Sequence, residues 1–263
     1  ATATINKIKS PRPPALSKEK PNMTVELLIS DVHVGKLTDS FNHEVLKRRL
    51  SQITTTTIKE IKRAQAHYNV ERIVIAFLGD LIESAHMHGI ESRIGCEFGD
   101  SKQISESIIQ FFNLIIKPLH ALGIKIDCVG VTGNHDRLGE TQTFHNPGEE
   151  NLTYIIYNAL KSLCDTAKMG ISWKIPLTPY ALDSFYGEKV LYEHYDRSKG
   201  TDQRKAVETL LATRIKQLNT PIVFIRGGHF HQNCVWNGGR YQINGNVPGD
   251  DSYAVVHGFN CEP

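Results

Sequence analysis

The chain is expected to fold as an α/β protein in which helices flank packed β-sheets, and three observations lead there. Four short apolar, β-rich runs each stop on a polar cluster: VELLIS into Asp31-Val32-His33, RIVIAFL into Gly79-Asp80, IDCVGVT into Gly133-Asn134-His135-Asp136, and PIVFIR into Gly228-His229-Phe230-His231. Between them lie segments whose apolar residues recur at helical spacing, the alternation that builds sheets covered by helices. A length of 263 residues, with 40% hydrophobic and 22% charged content, suits one large core rather than two.

The elements follow in order. Residues 1–21 carry four prolines within IKSPRPPALSKEKP and little apolar content, so residues 1–23 are expected to be a disordered or loosely attached tail and residues 24–263 the domain. A strand leads to Asp31, and a long helix spans about 42–67 with Asn42 as its cap. A strand leads to Asp80, a long polar loop occupies 83–100, and a second helix covers 102–122, where Ile104, Ile108, Phe111, Phe112 and Ile115 recur at helical spacing. The strand into Gly133 is followed by a loop at 137–150 and a helix at 151–168. Strands at 172–177 and 185–192, a helix at 203–218 and the last motif strand come next. Asn237-Gly238-Gly239, between two alternating runs, reads as a hairpin turn.

In open α/β sheets ligands bind beyond the carboxyl ends of the strands, so four strand ends bearing Asp, Asn and His are expected to converge on one polar site. In an extended segment residues i and i+2 project to the same side, which pairs Asp31 with His33 and His229 with His231. Glycines precede the ligands where the backbone turns tightly. Carboxylate, carboxamide and imidazole without cysteine suit manganese, iron or zinc. One ion needs only about four to six ligands, so this donor set implies two metals.

These motifs, D-x-H, G-D, G-N-H-D, a lone His and G-H-x-H in that order, resemble the calcineurin-like metallophosphoesterases. The resemblance implies a metallophosphoesterase-type β-sandwich flanked by helices, in four layers α/β/β/α. It implies that Asp31, His33 and His231 bind one metal, that Asp80 bridges two, and that Asn134 and His229 hold the second. His135 protonates the leaving group or stabilises the transition state, with Asn134 assisting at the phosphoryl oxygens and Asp136 orienting the His135 ring. His194, which ends the β-rich run 188–192, is chosen as the lone His over His145 and His257. The cofactors implied are two divalent ions, manganese first, with iron, zinc or magnesium as alternatives, and the nucleophile is a hydroxide bridging them.

The LLISDVHVGK form of the first motif resembles the SbcCD-type repair exonucleases, and NGNVPGDDSYAV resembles metallophosphoesterases of bacteriophages and mobile elements. The resemblance therefore implies a phosphodiesterase acting on DNA, as an exonuclease. The G-D-x-V-D-R-G extension of protein phosphatases is absent, since Asp80 continues as Leu81-Ile82-Glu83-Ser84. A small phosphoester substrate and a non-catalytic module are the alternatives. The G-x-S-x-G elbow, the phosphate-binding P-loop and paired C-x-x-C motifs are missing, which excludes the common rival chemistries.

His67 and His120 lie in helical patterns and are expected at the surface or core edge, whereas His86 and His88 are candidates to line the substrate cleft. A cationic excess between residues 42 and 72 reads as a solvated helix face before a phosphate stripe. No apolar run approaches the roughly twenty residues a membrane span needs, and no signal segment opens the sequence. Five scattered cysteines predict reduced thiols, so a cytoplasmic location with no membrane partner is expected. Oligomeric state is not legible.

Overall fold

The computed structural model describes residues 11–87, 90–138 and 147–249, so His88, His145 and His257 lie outside the described residues. Strands β1 (Asn22–Ile29), β2 (Asn69–Leu78), β3 (Lys125–Val131) and β4 (Ser172–Lys174) form one sheet in that order, every pair parallel. Strands β5 (Tyr180–Phe185), β6 (Glu188–Glu193), β7 (Phe224–Gly227), β8 (Cys234–Trp236) and β9 (Tyr241–Ile243) form a second, mixed sheet in the order β5-β6-β7-β9-β8.

The period-2 geometry of the strands explains how two sheets and their helices make three cores. Along β2, Ile73, Ile75 and Phe77 face one way, into a cluster completed by helices, while Val74, Ala76 and Leu78 face the other sheet. The outer cluster is filled by Leu46, Leu50 and Ile61 of α1 (His43–Ala64) and by Ile156, Tyr157 and Leu160 of α5 (Leu152–Thr166). The central cluster joins Val129 and Val131 of β3 to Val190 and Tyr192 of β6. On the far side, Leu191 and Ile225 pack with Val207, Leu210 and Leu211 of α6 (Gln203–Leu218). Helix, sheet, sheet, helix is the expected four-layer order. A parallel strand covered on both faces must be apolar along its covered length, as IVIAFL after Arg72 is.

Helix boundaries follow local chemistry. The Asn42 side chain accepts from the Val45 amide, Asn151 from Thr153, and Asp202 from Lys205, each capping an N-terminus. The single helix expected at 102–122 is instead α3 (Asp100–Gln110), a π-helical turn (Phe111–Ile116) and α4 (Lys117–His120). The Lys117 amide reaches back five residues to Phe112. Pro118 supplies the reason: it cannot donate to the preceding turn and its ring crowds a carbonyl there, and a wide turn relieves both problems.

Two further expectations need correction. The run at 185–192 is not one strand but a hairpin of β5 and β6, turning at Tyr186 (φ 50°) and Gly187 (φ 92°), the two left-handed residues of a tight hairpin. Strand β5 escaped notice because its centre carries Asp183, which pairs with Arg72 across the sandwich. The polar loop at 83–100 contains a short helix, α2 (Ile90–Ile94), and Cys96 bridges to Lys36. The hairpin turn at Asn237-Gly238-Gly239 joins β8 to β9 as expected, with φ of 51°, 65° and 83°.

At the N-terminal side, Asn69 donates to the carbonyls of Ser17 and Lys20, and β1 begins at Asn22. Among the described residues no helix is long and apolar enough to cross a membrane.

Candidate metal centre

The ends of β1, β2, β3 and β7, and the segment after β6, meet at one edge of the sandwich. A parallel bridge between Val34 and Ile82 carries the β1–β2 pairing past Asp31 and Asp80. Five candidate ligands then leave the strand conformation: Asp31, His33 and Asp80 have φ of 50°, His229 77° and His231 57°. Left-handed backbone is uncommon outside glycine, and its concentration here marks a strained, over-determined site. The loops also crowd one another. A side chain at Gly133 would collide with Asp80, and one at Gly228 with Asp31, so glycine alone permits this approach.

Asp136 ties these loops together. Its buried carboxylate accepts from the amides of Asp80 (2.8 Å), Gly133 (3.1 Å), Leu81 (3.0 Å) and Ile82 (3.2 Å). The expectation that Asp136 orients the His135 ring is thereby corrected: its oxygens are committed to backbone amides. The ring of His135 is fixed instead by the Glu83 carbonyl, 2.9 Å from Nδ1.

The side chains gather in two main groups. Asp31, His33 and His231 bring their donor atoms within 4.8 Å of one another, and so do Asp80, His194 and His229. In the first, His231 Nε2 lies 3.3 Å from both Asp31 Oδ1 and His33 Nε2. In the second, His194 Nε2 lies 2.9 Å from Asp80 Oδ2 and 3.2 Å from Asn134 Oδ1, which brings Asn134 in as well. The expectation from i, i+2 spacing that His229 and His231 grip one ion together is corrected, since they serve different groups.

His194 shows how the fold prepares a ligand. Its Nδ1–H donates to the Leu78 carbonyl (2.7 Å), which fixes the tautomer and turns Nε2 toward Asp80 and Asn134. Such anchoring of the distal ring nitrogen is the usual support for a metal-binding imidazole. The ring is fully buried.

Glu83 is the residue that sequence reasoning assigned only to a loop. Its Oε2 lies 2.7 Å from His33 Nδ1 and 3.9 Å from His135 Nδ1, and Oε1 lies 3.4 Å from Lys36. His33, Glu83 and His135 also qualify as a third group of donors. The signal was its position three residues after Asp80, where the continued β1–β2 bridging still holds the chain in register with His33.

Burial and charge compete throughout. Burial pushes the His33 imidazole down to about 4 despite Glu83, so the ring is neutral near pH 7 and free to donate a lone pair. Burial acts to raise the Glu83 carboxyl, but His33 and Lys36 outweigh it and hold it at about 2; with His33 neutral, Lys36 is the effective charge. Burial would raise Asp80 as well, yet His194 and His135 keep it well below the ordinary carboxylate value. Burial and the Asp80 charge push Asp136 up to about 7, against the pull of its amide donors.

Other histidines lie apart. His67 is exposed, and His120 is buried at the core edge, hydrogen-bonded to the Met169 carbonyl at 3.1 Å. His86 is exposed on the loop after β2 and ion-paired with Asp100 at 2.9 Å. The cationic stretch dissolves into local partners: Lys47 pairs with Glu44, Arg63 with Glu60, and Arg49 donates to the Val247 carbonyl.

The donor set fits divalent cations. Each main group mixes carboxylate and imidazole, the mixed hard and borderline ligation that manganese, iron and zinc accept.

No family model matches the chain, and no curated protein sequence does. Among solved structures, a protein of unknown function from Aquifex aeolicus matches at a TM-score of 0.36 and 14% identity, over 86% of this chain and 91% of that one. A phosphopantetheinyl hydrolase from Mycobacterium tuberculosis matches at 0.36 and 14%, over 85% and 90%. Vps29 from Entamoeba histolytica, complexed with zinc, matches at 0.33 and 14%, over 86% and 77%. These likenesses are too slight to bear on activity, and the site's own geometry is the stronger guide.

Proposed function

We propose that the protein is a divalent-metal-dependent phosphoric ester hydrolase of the calcineurin-like metallophosphoesterase type, cleaving phosphodiester bonds of DNA as an exonuclease. The observation that carries this reading is the pair of carboxylate–imidazole groups, Asp31/His33/His231 and Asp80/His194/His229, side by side at one edge of the sandwich. Two cations, manganese in the first instance, are held by these residues with Asn134. When bound, they supply charge neutralisation at the phosphoryl group and lower the pKa of an attacking water.

The protein's own groups do the rest. Asn134 presents a carboxamide beside His194, placed to orient a phosphoryl oxygen. His135, held through Nδ1 by the Glu83 carbonyl, would in its imidazolium form give a proton to the departing alkoxide. Glu83 holds His33 and steadies His135. The Leu78 carbonyl locks His194, and Asp136 fixes the loops that carry Asp80 and Asn134.

A second reading, hydrolysis of a small phosphoester, is favoured by the recession of the site: the side chains of His33 and His194 are 0% exposed and that of His135 only 14%. Incubation of manganese-loaded protein with end-labelled single- and double-stranded DNA, beside bis-p-nitrophenyl phosphate and the monoester, separates these readings. Shortened DNA that is lost in His135→Ala supports the nuclease. Dye release without DNA cleavage supports the small-substrate enzyme, and silence on every substrate supports a non-catalytic module and overturns the proposal.

A further inference from the structure

We infer that a cavity beside the Asp31/His33/His231 group is a nucleobase pocket, so that the substrate carries a base next to its reacting phosphate. This deepens the phosphoester reading and rests on it for the word substrate.

The cavity, of about 250 Å³, lies between the end of β1, the middle of α1 and the segment that leaves β9. Leu28 and Ile29 of β1 and Leu50 and Ile53 of α1 give it apolar walls, while Ser30, Asn233 and Asn244 give it polar groups. No charged side chain is among its lining residues. Such a space does not suit phosphate, which would lack a cation, nor bare hydrocarbon, which would leave a hydroxyl and two carboxamides unpaired. It suits a neutral planar ring with amide edges. An apolar cavity of about 150 Å³ already admits benzene, so a base has room here.

Its position ties it to the metal centre. Ser30 immediately precedes Asp31, and Asn233 follows His231 by two residues, which keeps their Cα atoms within about 7 Å. A side chain at Gly228 would collide with both the Asp31 carboxylate and the Ser30 hydroxyl, so these two groups lie against the same glycine. The Val247 amide donates to the Asp31 carbonyl at 3.0 Å, and the Asn244 amide to the Gly227 carbonyl at 2.7 Å. The loops that place the first metal donors therefore also build the cavity wall. A nucleotide with its phosphate at that group has its base one sugar away.

The polar groups are prepared for a ligand. Asn244 Nδ2 donates to Ser30 Oγ at 2.9 Å and to the Gly245 carbonyl at 3.2 Å, which fixes the carboxamide and leaves Oδ1 as an acceptor. Asn233, at the exposed mouth, makes no hydrogen bond among the described residues and keeps both donor and acceptor. Carboxamides read base edges through such donor and acceptor pairs, and apolar walls with a few placed polar groups are the usual make-up of a ligand pocket.

The full chain, freed of metal by chelation so that nothing turns over, is titrated with thymidine, deoxycytidine, deoxyadenosine and deoxyguanosine and followed by NMR. Saturable binding that differs among the four bases is expected. Asn233→Leu, which keeps the volume and removes the carboxamide, is expected to weaken the preferred nucleoside roughly three- to tenfold, the scale of a lost neutral hydrogen bond. Asn233→Gln is expected to restore part of it, and Ile53→Phe, which fills the cavity, to abolish binding.

A dinucleotide that binds more tightly than the preferred nucleoside and depends on Asn233 identifies a strand as the source of the base, and equal affinity identifies a mononucleotide. No saturable nucleoside binding by wild type, or unchanged affinity in Asn233→Leu and Ile53→Phe proteins shown to be folded by their thermal midpoints, overturns the pocket. Indole binding as tightly as any nucleoside, whatever residue stands at 233, overturns it too. Because this readout needs no hydrolysis, nucleoside binding without phosphodiesterase activity sinks the enzymatic reading alone, and phosphodiesterase activity without nucleoside binding sinks the pocket alone.

Discussion

Two regions of this molecule gather buried carboxylates, and they handle them in opposite ways. Between the sheets, Arg72 of β2 reaches Asp127 of β3 at 2.5 Å and Asp183 of β5 at 2.6 Å, while Ser172 donates to Asp127 and Lys125 lies 3.4 Å away. Negative charge there is balanced by cations that belong to the chain. At the strand ends, Asp31 and Asp80 are at least as buried, yet among the described residues their side-chain partners are imidazoles and backbone amides, with no lysine or arginine ion-paired to either. A buried carboxylate without a resident cation is expensive. The first region spends its charges on cohesion; the second keeps them for an ion from solution, and accepts left-handed backbone to do so.

The sharpest break in this contrast is Asp80→Asn. It should lower metal-dependent turnover by roughly 100- to 1000-fold, the scale seen when one electrostatic partner of the transition state is removed. Metal-free stability should fall as well, since His194 and His135 hold the Asp80 carboxyl well below its ordinary value and that contribution goes with the charge. Turnover that survives the substitution would place Asp80 with the cohesive carboxylates.

The mirror experiment is Arg72→Met. It leaves Asp127 and Asp183 with only the more exposed Lys125 and Lys174 and should cost about 1 to 3 kcal/mol by denaturant titration, between the values for exposed and buried pairs. Bound metal per chain, measured by elemental analysis, should not change. Loss of metal would mean that the two regions are coupled.

Glu83→Gln comes next. The residue supports His33, so cation affinity at the Asp31/His33/His231 group should fall roughly 10- to 100-fold, as for other outer partners of ligating histidines. The Asp80/His194/His229 group should hold its ion. Metal titration resolving two affinities reads the difference, and equal weakening of both would remove Glu83 from its assigned half.

The smallest effect is on pH. Burial acts to raise Asp127, but Ser172 and Arg72 outweigh it and hold its pKa below 3.8. A depressed carboxyl stabilises the fold fully above its unfolded pKa and loses that contribution as pH falls through the folded one. Acid unfolding of wild type should therefore steepen below about pH 4, and that limb should flatten in Arg72→Met. An unchanged acid limb would show that the clamp carries no pH-dependent stability.

The legibility of the site in the sequence differed from residue to residue. The four strand-end motifs pointed to Asp31, His33, Asp80, Asn134, His229 and His231 because a β-rich run leads directly into each ligand cluster. His194 was chosen only for its place after a β-rich run, and the Leu78 carbonyl that holds it lies 116 residues away. Glu83 was passed over since its meaning depends on how β1 and β2 continue past their ends. The β5–β6 hairpin and the π-helical turn were missed for local reasons, a paired Asp183 inside a strand and a proline inside a helix.

The sequence by itself determined the strands, the capped helices and the order of the donor residues, because hydrophobic period, capping and glycine placement are local and written in neighbouring letters. Only the tertiary structure decided which histidine stands with which carboxylate, and which carboxylates receive an arginine. Those pairings depend on how the loops after β1, β2, β6 and β7 meet, and on sheet packing that brings β2 to β5, neither of which leaves a mark on the residues concerned.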